Sequence, residues 1–250
     1  MSASDRNVFR LAATRLLGTV KAFSRPFRRK LAVLMGKDLH IVRSVDLPVE
    51  VHGSDYGGFA ILRDSLSSGS VVWSCGIGED ASFDMSVIGK YGCVVHAFDP
   101  TPRSIAWVRA HVNDTRFQFH DWAISDSDGT LRLYLPREAA WVSASLVSGE
   151  HTRGEHIDVP ARRLAAIRHE LGVPDVLKMD IEGAEYSVLR DLLTGPDCFF
   201  PRQLALEFHH FWPAFGLDTT RQALALLHAA GYRIAWVSPT HHELLLVHRP

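Results

Sequence analysis

No apolar stretch in these 250 residues approaches the roughly 20 consecutive side chains that a membrane-spanning helix needs, and Arg6, Arg10 and Arg15 interrupt any signal-peptide core. Cysteine is scarce. Cys75, Cys93 and Cys198 are odd in number, far apart and without C-x-x-C spacing, which argues against zinc and a redox dithiol and for a reduced, cytoplasmic compartment. Basic side chains are thin in the body of the chain: beyond residue 45 stand 17 Lys/Arg against 26 Asp/Glu, an excess of nine negative charges. Nucleic-acid binding needs clustered cations to displace counterions, so no nucleic-acid partner is expected, whereas a cationic ligand suits this balance. Internal repeats and low-complexity segments are also missing. What remains is ordinary globular composition, 46% hydrophobic and 22% charged, enough to bury one sizeable core.

The domain expected is 46–250, behind an N-terminal extension over 1–45 that holds ten Lys/Arg and only two Asp/Glu. In that extension Val8, Phe9, Leu11, Ala12, Leu16, Leu17, Val20 and Phe23 fit one helical stripe, and residues 25–30 form a basic knot. A docked accessory helix, a helix lying on a membrane surface and an Arg-rich transit peptide all fit this pattern, and sequence alone does not separate them. Nothing in the pattern bears on oligomeric state.

From Val71 onward short apolar runs alternate with helical patterns, the signature of a mostly parallel sheet with helices on both faces. The seven strands expected are 71–74, 94–98, 117–120, 176–179, 203–207, 233–236 and 243–247. Helices are expected over 59–67, 82–90, 102–111, 162–171, 185–193 and 219–230. Pro102 suits a first helical turn, and Gly231 suits a helix stop. The turn Asp126-Ser127-Asp128-Gly129 predicts a hairpin joining Ile124 to residues 131–134. Residues 136–155 show no period and read as a loop, of a length usually given to a substrate lid.

Gly76-Ile77-Gly78 falls between an apolar strand and a helical pattern, where glycine lets a ligand approach the backbone. Asp99 ends the next strand, where nucleotide-binding folds receive ribose hydroxyls. Because Ala81 completes the looser G-x-G-x-x-A fingerprint, a nicotinamide dinucleotide is the rival ligand. Glu79 and Asp80 place negative charge where a diphosphate would lie, and so favour a nucleoside carrying a cation such as a sulfonium.

The remaining strands end in carboxylates, on the side where open parallel sheets bind ligands. Asp121 with Trp122 and Ala123 is expected at an adenine ring; Asp180, with Glu182 and Glu185 at the following helix start, points towards the cofactor or the acceptor. Glu207, with His209, suits removal of a proton from an acceptor hydroxyl, or a divalent cation that lowers the hydroxyl's pKa. A metal is not predicted, since adjacent His residues such as His209-His210 are more often packing or surface groups.

The segments 56–59, 73–80, 82–84, 96–100 and Leu177-Lys178-Met179-Asp180-Ile181-Glu182-Gly183-Ala184-Glu185 resemble FkbM-type methyltransferases, over roughly 56–208. The resemblance implies a class I Rossmann-like methyltransferase fold and S-adenosylmethionine as methyl donor, often to a hydroxyl of a sugar or secondary metabolite. It also implies that the glycine turn faces the methionine portion while Asp99 holds the ribose. Ser74 stands where many methyltransferases carry the acid that contacts the methionine amino group, so Glu79 or Asp80 would have to replace it. Asp180, Glu207 and His209 then form the acceptor side of a direct displacement. Acceptor contacts are expected from 136–155, including Trp141, and from Phe211-Trp212-Pro213. Two other classes stay open. One is an NAD(P)-dependent oxidoreductase, which here lacks a Tyr-x-x-x-Lys pair; the other is a non-catalytic S-adenosylmethionine-binding protein, which needs neither Asp180 nor His209.

Overall fold

A computed structural model describes residues 31–136, 152–212 and 214–249. The helical stripe over 8–23 and the basic knot at 25–30 lie outside the described residues. The chain forms two compact units, Met1–Ile41 and Val42–Pro250. Of the first, residues 31–34 are described as helical.

The second unit carries a seven-stranded sheet in the order β11-β12-β10-β9-β3-β4-β5. Its strands are β3 (Val71–Cys75), β4 (Val94–Phe98), β5 (Phe117–His120), β9 (Val176–Met179), β10 (Gln203–Glu207), β11 (Tyr232–Val237) and β12 (Glu243–His248). Each coincides with an expected strand to within a residue. Neighbours pair in parallel except around β12, which runs against both β10 and β11. Central strands of such a sheet are covered on both faces, and all four residues of β9 are buried. The fold is therefore α/β and Rossmann-like, and strand order reverses between β3 and β9, which opens a crevice at their C-terminal ends.

The helices are α1 (Ser82–Tyr91), α2 (Pro102–His111), α3 (Leu164–Leu171), α4 (Glu185–Thr194) and α5 (Gly216–Ala229). Pro102 opens α2 behind Thr101, whose side chain accepts from Ser104 N and so satisfies one donor of the first turn. Helix α3 starts two residues later than the expected 162 because Arg162 and Arg163 belong to the preceding strand.

Three expectations fail. The helix over 59–67 is absent: Phe59–Leu62 is strand β2, paired antiparallel with β1 (Val49–His52). All four residues of β2 are buried, and a short run hydrophobic on both faces carries no period that distinguishes strand from helix. Leu62 N then donates to Gln203 Oε1 at 2.7 Å rather than to a helical carbonyl. The hairpin after Asp126 also fails. Strand β6 (Ala123–Ser125) and β7 (Gly129–Pro136) do not pair; β8 (Thr152–Arg163) lies between them, parallel to β6 and antiparallel to β7. The turn itself is present and is tied across to β8 by Arg163 N donating to Asp128 Oδ1 at 2.9 Å. The loop expected over 136–155 fails at its ends, since Pro136 and residues 152–155 belong to β7 and β8; 137–151, with Trp141, lie outside the described residues. Alternation does place Val159 and Ala161 inward on β8, against Ala123 and Leu133.

Candidate active site

A cavity of about 960 Å³ opens over the C-terminal ends of β3, β4, β9 and β10. Pockets that enclose a drug-sized ligand run from about 300 to 1,000 Å³, so this one has room for a nucleoside-sized molecule and a small second reactant. One end is built by the turn after β3, by Asp99 and by Phe83 and Asp84 of α1; the other by Asp180, Glu182, Glu207, His209 and Trp212.

The turn is held from several sides. Gly76 N donates to Phe98 O at 2.9 Å and Asp180 N to Cys75 O at 3.0 Å. Lys178, buried at the end of β9, gives its ammonium to the carbonyls of Gly76 and Cys75. Gly76 has φ +82°, and a Cβ there would sit 1.7 Å from the carbonyl oxygen of Asp180. Glycine is therefore demanded by the protein's own backbone as well as by any ligand. Asp99 is 6% exposed and lies where expected, at the cavity wall. Its Oδ2 accepts from Ile77 N at 3.0 Å and Gly78 N at 2.9 Å, and its Oδ1 accepts from Thr101 N and Oγ1. The carboxylate thus fixes the backbone of the turn besides presenting itself to the cavity.

Glu79 and Asp80 also line the cavity, each already partnered. Both oxygens of Glu79 take hydrogen bonds of 2.7 Å from Arg103. Asp80 accepts from Ser54 Oγ at 2.5 Å and Ser82 N at 2.8 Å. Of the segment expected at an adenine ring, Ala123 reaches the wall, together with Ile124. Asp121 is exposed and Trp122 stands behind the wall, its ring 6.1 Å from Phe98 and 5.1 Å beneath the Arg162 guanidinium.

At the other end β9 delivers Asp180 into a turn in which Glu182 has φ +56° and Gly183 φ +98°. The Phe215 ring packs so closely on Gly183 that a Cβ there would lie 1.9 Å from it. Glu185, fully buried, accepts from Ile181 N at 2.7 Å and Gly183 N at 2.9 Å, so this acid closes the turn over the start of α4. The same carboxylate lies 3.2 Å from His209 Nδ1, while His209 Nε2 lies 3.1 Å from Glu182 and 3.6 Å from Asp180. Burial opposes a charged imidazole, but Glu185 and Glu182 outweigh it and hold the His209 pKa up at about 12. Expected as a proton acceptor, His209 is in this setting a cation that binds three carboxylates together.

Burial raises the pKa of Asp180, against the pull of Lys178 and His209. Burial together with the Asp180 charge raises that of Glu207 further. The Asp180 charge is one cause of the upward shift at Glu207, so the two carboxyls titrate as interacting groups, with Glu207 the harder to ionise. The three expected acceptor-side residues thus line one end of the same cavity, with Asp180 and Glu207 both shifted towards the protonated form and His209 towards the charged one.

Asp180, Glu182 and His209 also bring ligand atoms within 4.8 Å of one another, a geometry open to a divalent cation. The imidazolium already supplies the positive charge, and a metal would have to displace its proton. Chelation with EDTA is accordingly expected to leave ligand affinity and turnover unchanged; a loss restored by added Mg²⁺ or Mn²⁺ would sink that expectation.

Asp84 and Lys178 were not singled out as site residues from sequence, although both line the cavity. Their signal was present: Asp84 shares the inward face of α1 with Val87 and Ile88, and Lys178 interrupts an otherwise apolar strand. A charge on an apolar stripe is the cue.

Residues 74–234 match the model of a family described as "Methyltransferase FkbM domain". The chain is 32% identical over 157 residues to a Rattus norvegicus protein called "Probable methyltransferase-like protein 24", covering 61% of this chain and 36% of that one. Against the Homo sapiens protein of that name, identity is 30% over 148 residues, covering 58% and 34%. The chain thus spans about a third of the length of the curated relatives it matches. Among solved structures, a Methanococcus jannaschii fibrillarin pre-rRNA processing protein superposes with a TM-score of 0.43 at 11% identity, over 73% of this chain and 68% of that one.

Proposed function

Since the chain belongs to the methyltransferase FkbM domain family, we propose that it transfers a methyl group from S-adenosylmethionine to a hydroxyl of a small molecule such as a sugar or secondary metabolite. The observation that carries this reading is one cavity lined by the glycine turn and the acid Asp99 at one end and by the carboxylate of Asp180 at the other.

Gly76, Gly78 and the partnered acids Glu79 and Asp80 would surround the methionine side of the donor, Asp99 the ribose, and Ala123 with Ile124 the adenine; Trp122 stands behind that wall, and Asp121 is exposed. The donor supplies a carbon already activated for displacement. The protein's share is alignment and proton removal. Asp180 takes the hydroxyl proton as the acceptor oxygen attacks, Glu207 donates a hydrogen bond to that oxygen, and the His209 imidazolium keeps Asp180 and Glu182 fixed. Phe211 and Trp212 border the same end and give the acceptor an apolar contact.

A cytoplasmic setting belongs to the same proposal and rests on three cysteines that are all free thiols. Among the described residues no helix is long and apolar enough to cross a membrane.

Calorimetry with S-adenosylmethionine, S-adenosylhomocysteine, NAD and NADP tests the donor directly. Binding of the two adenosyl compounds is expected, and binding of a dinucleotide alone would overturn the reading. Labelled methyl transfer into hydroxyl and amine acceptors then separates O- from N-methylation; label found only on amines defeats the hydroxyl assignment.

A further inference from the structure

Position 74, at the end of β3, holds serine, and the two acids that sequence offers as replacements are occupied: Glu79 by Arg103, and Asp80 by Ser54 and Ser82. A third acid remains. Asp84, in the first turn of α1, is 2% exposed and lines the cavity, and its Oδ1 has no hydrogen-bond partner. The Ser74 hydroxyl, fully buried, is its polar neighbour and makes no hydrogen bond of good geometry either.

We propose that Asp84, assisted by the Ser74 hydroxyl, receives the α-ammonium group of the amino-acid portion of S-adenosylmethionine, an assignment that rests on the methyl-donor reading above. A buried carboxylate with an unmet acceptor is costly unless a cation or donor reaches it. The neighbouring cation does not meet that need. Lys178 directs its ammonium to the carbonyls of Gly76 and Cys75, and among the described residues no ion pair joins it to Asp84. The ligand-side ammonium has the right charge, three donors, and a place next to the turn that the methionine chain would follow.

The charge state follows from the same surroundings. Burial pushes the Asp84 pKa up to about 6, with Lys178 of β9 and Ser74 of β3 pulling it down and Asp80 of the turn pushing it up. The thiols of Cys75 and Cys93 are the other titratable neighbours, and burial pushes both up, so they stay neutral. Below pH 6 the carboxyl is protonated in the empty site and a ligand ammonium must displace that proton. Above pH 6 it is ionised and ready.

The test compares S-adenosylhomocysteine, which keeps the ammonium, with 5′-methylthioadenosine, which has no amino-acid portion. In D84N, affinity for S-adenosylhomocysteine is expected to fall by roughly 10- to 100-fold, the loss of a hydrogen bond between charged groups, while affinity for methylthioadenosine stays unchanged. The empty variant is expected to melt no lower than the parent, because a buried charge has been removed. In the unmodified protein, S-adenosylhomocysteine affinity is expected to rise by roughly tenfold between pH 5 and pH 7 and methylthioadenosine affinity to stay flat. This second measurement stands even if D84N does not fold. Equal losses for both ligands, or no loss for either, would overturn the role of Asp84. Failure of the unmodified protein to bind either ligand would overturn the methyl-donor reading and this assignment with it.

Discussion

Asp180→Asn is expected to lower the rate of the proposed methyl transfer by about 10²- to 10⁴-fold, the usual contribution of a general base, and to leave S-adenosylhomocysteine affinity nearly unchanged. The size of the effect follows from the absence of a substitute. His209 is held as an imidazolium by Glu185 and Glu182, and burial with the Asp180 charge shifts Glu207 towards its protonated form. In the proposed mechanism Asp180, whose pKa is raised by burial yet restrained by Lys178 and His209, is the carboxylate that takes the proton. The pH profile carries the sign. An acid must lose its proton to act as a base, so the rate of the parent rises with pH through a value above the ordinary carboxylate range near 4, and D180N lacks that limb. Glu207→Gln is the paired control: an amide still donates a hydrogen bond, so a much smaller loss is expected. Full-rate turnover by D180N with the acceptor of the parent would remove Asp180 from the mechanism, and a severe E207Q beside a mild D180N would exchange the two roles.

Gly76→Ala is expected to destabilise the fold by about 4 kcal/mol or more and to abolish cofactor binding. Two costs combine. A side chain at φ +82° is strained by about 1–3 kcal/mol, and the new methyl would lie 1.7 Å from the Asp180 carbonyl oxygen, a backbone atom that cannot turn aside. Relief requires β3 and β9 to part at the point where Asp180 N donates to Cys75 O. For a domain of this size, about 4 kcal/mol corresponds to a fall in Tm of roughly 8–16 °C. Gly89→Ala provides the contrast: Gly89 is an exposed residue within α1 whose added Cβ meets nothing within 4 Å, so a gain of up to about 1 kcal/mol is expected. A G76A variant that melts with the parent would refute the packing argument.

The parts of this architecture that sequence displays are those with a single physical cause. Strands such as Val176–Met179, buried on both faces, are written as apolar runs, and their order β–α–β forces a parallel sheet. Asp99 and Asp180 are visible because they are acids placed where such runs stop. Features that depend on a distant partner are not visible in the same way. Phe59–Leu62 becomes a strand because β1 and Gln203 are beside it, and β7 finds its partner in β8 rather than across the turn at Asp126. The charge on His209 is beyond sequence for the same reason: it is set by Glu182 and Glu185, which reach it from another turn of the chain. Asp84 is an intermediate case, since its helical face was legible but its lack of a partner is a property of the packed cavity.

The contact between Gly76 and the Asp180 carbonyl means that the two ends of the cavity share one joint built of main-chain atoms. In the proposed transfer, the spacing of the two reactants would be set there by main-chain atoms. Selectivity for a different acceptor is therefore expected to evolve, or to be engineered, at lining residues such as Thr152, Phe211 and Trp212, while the joint stays fixed.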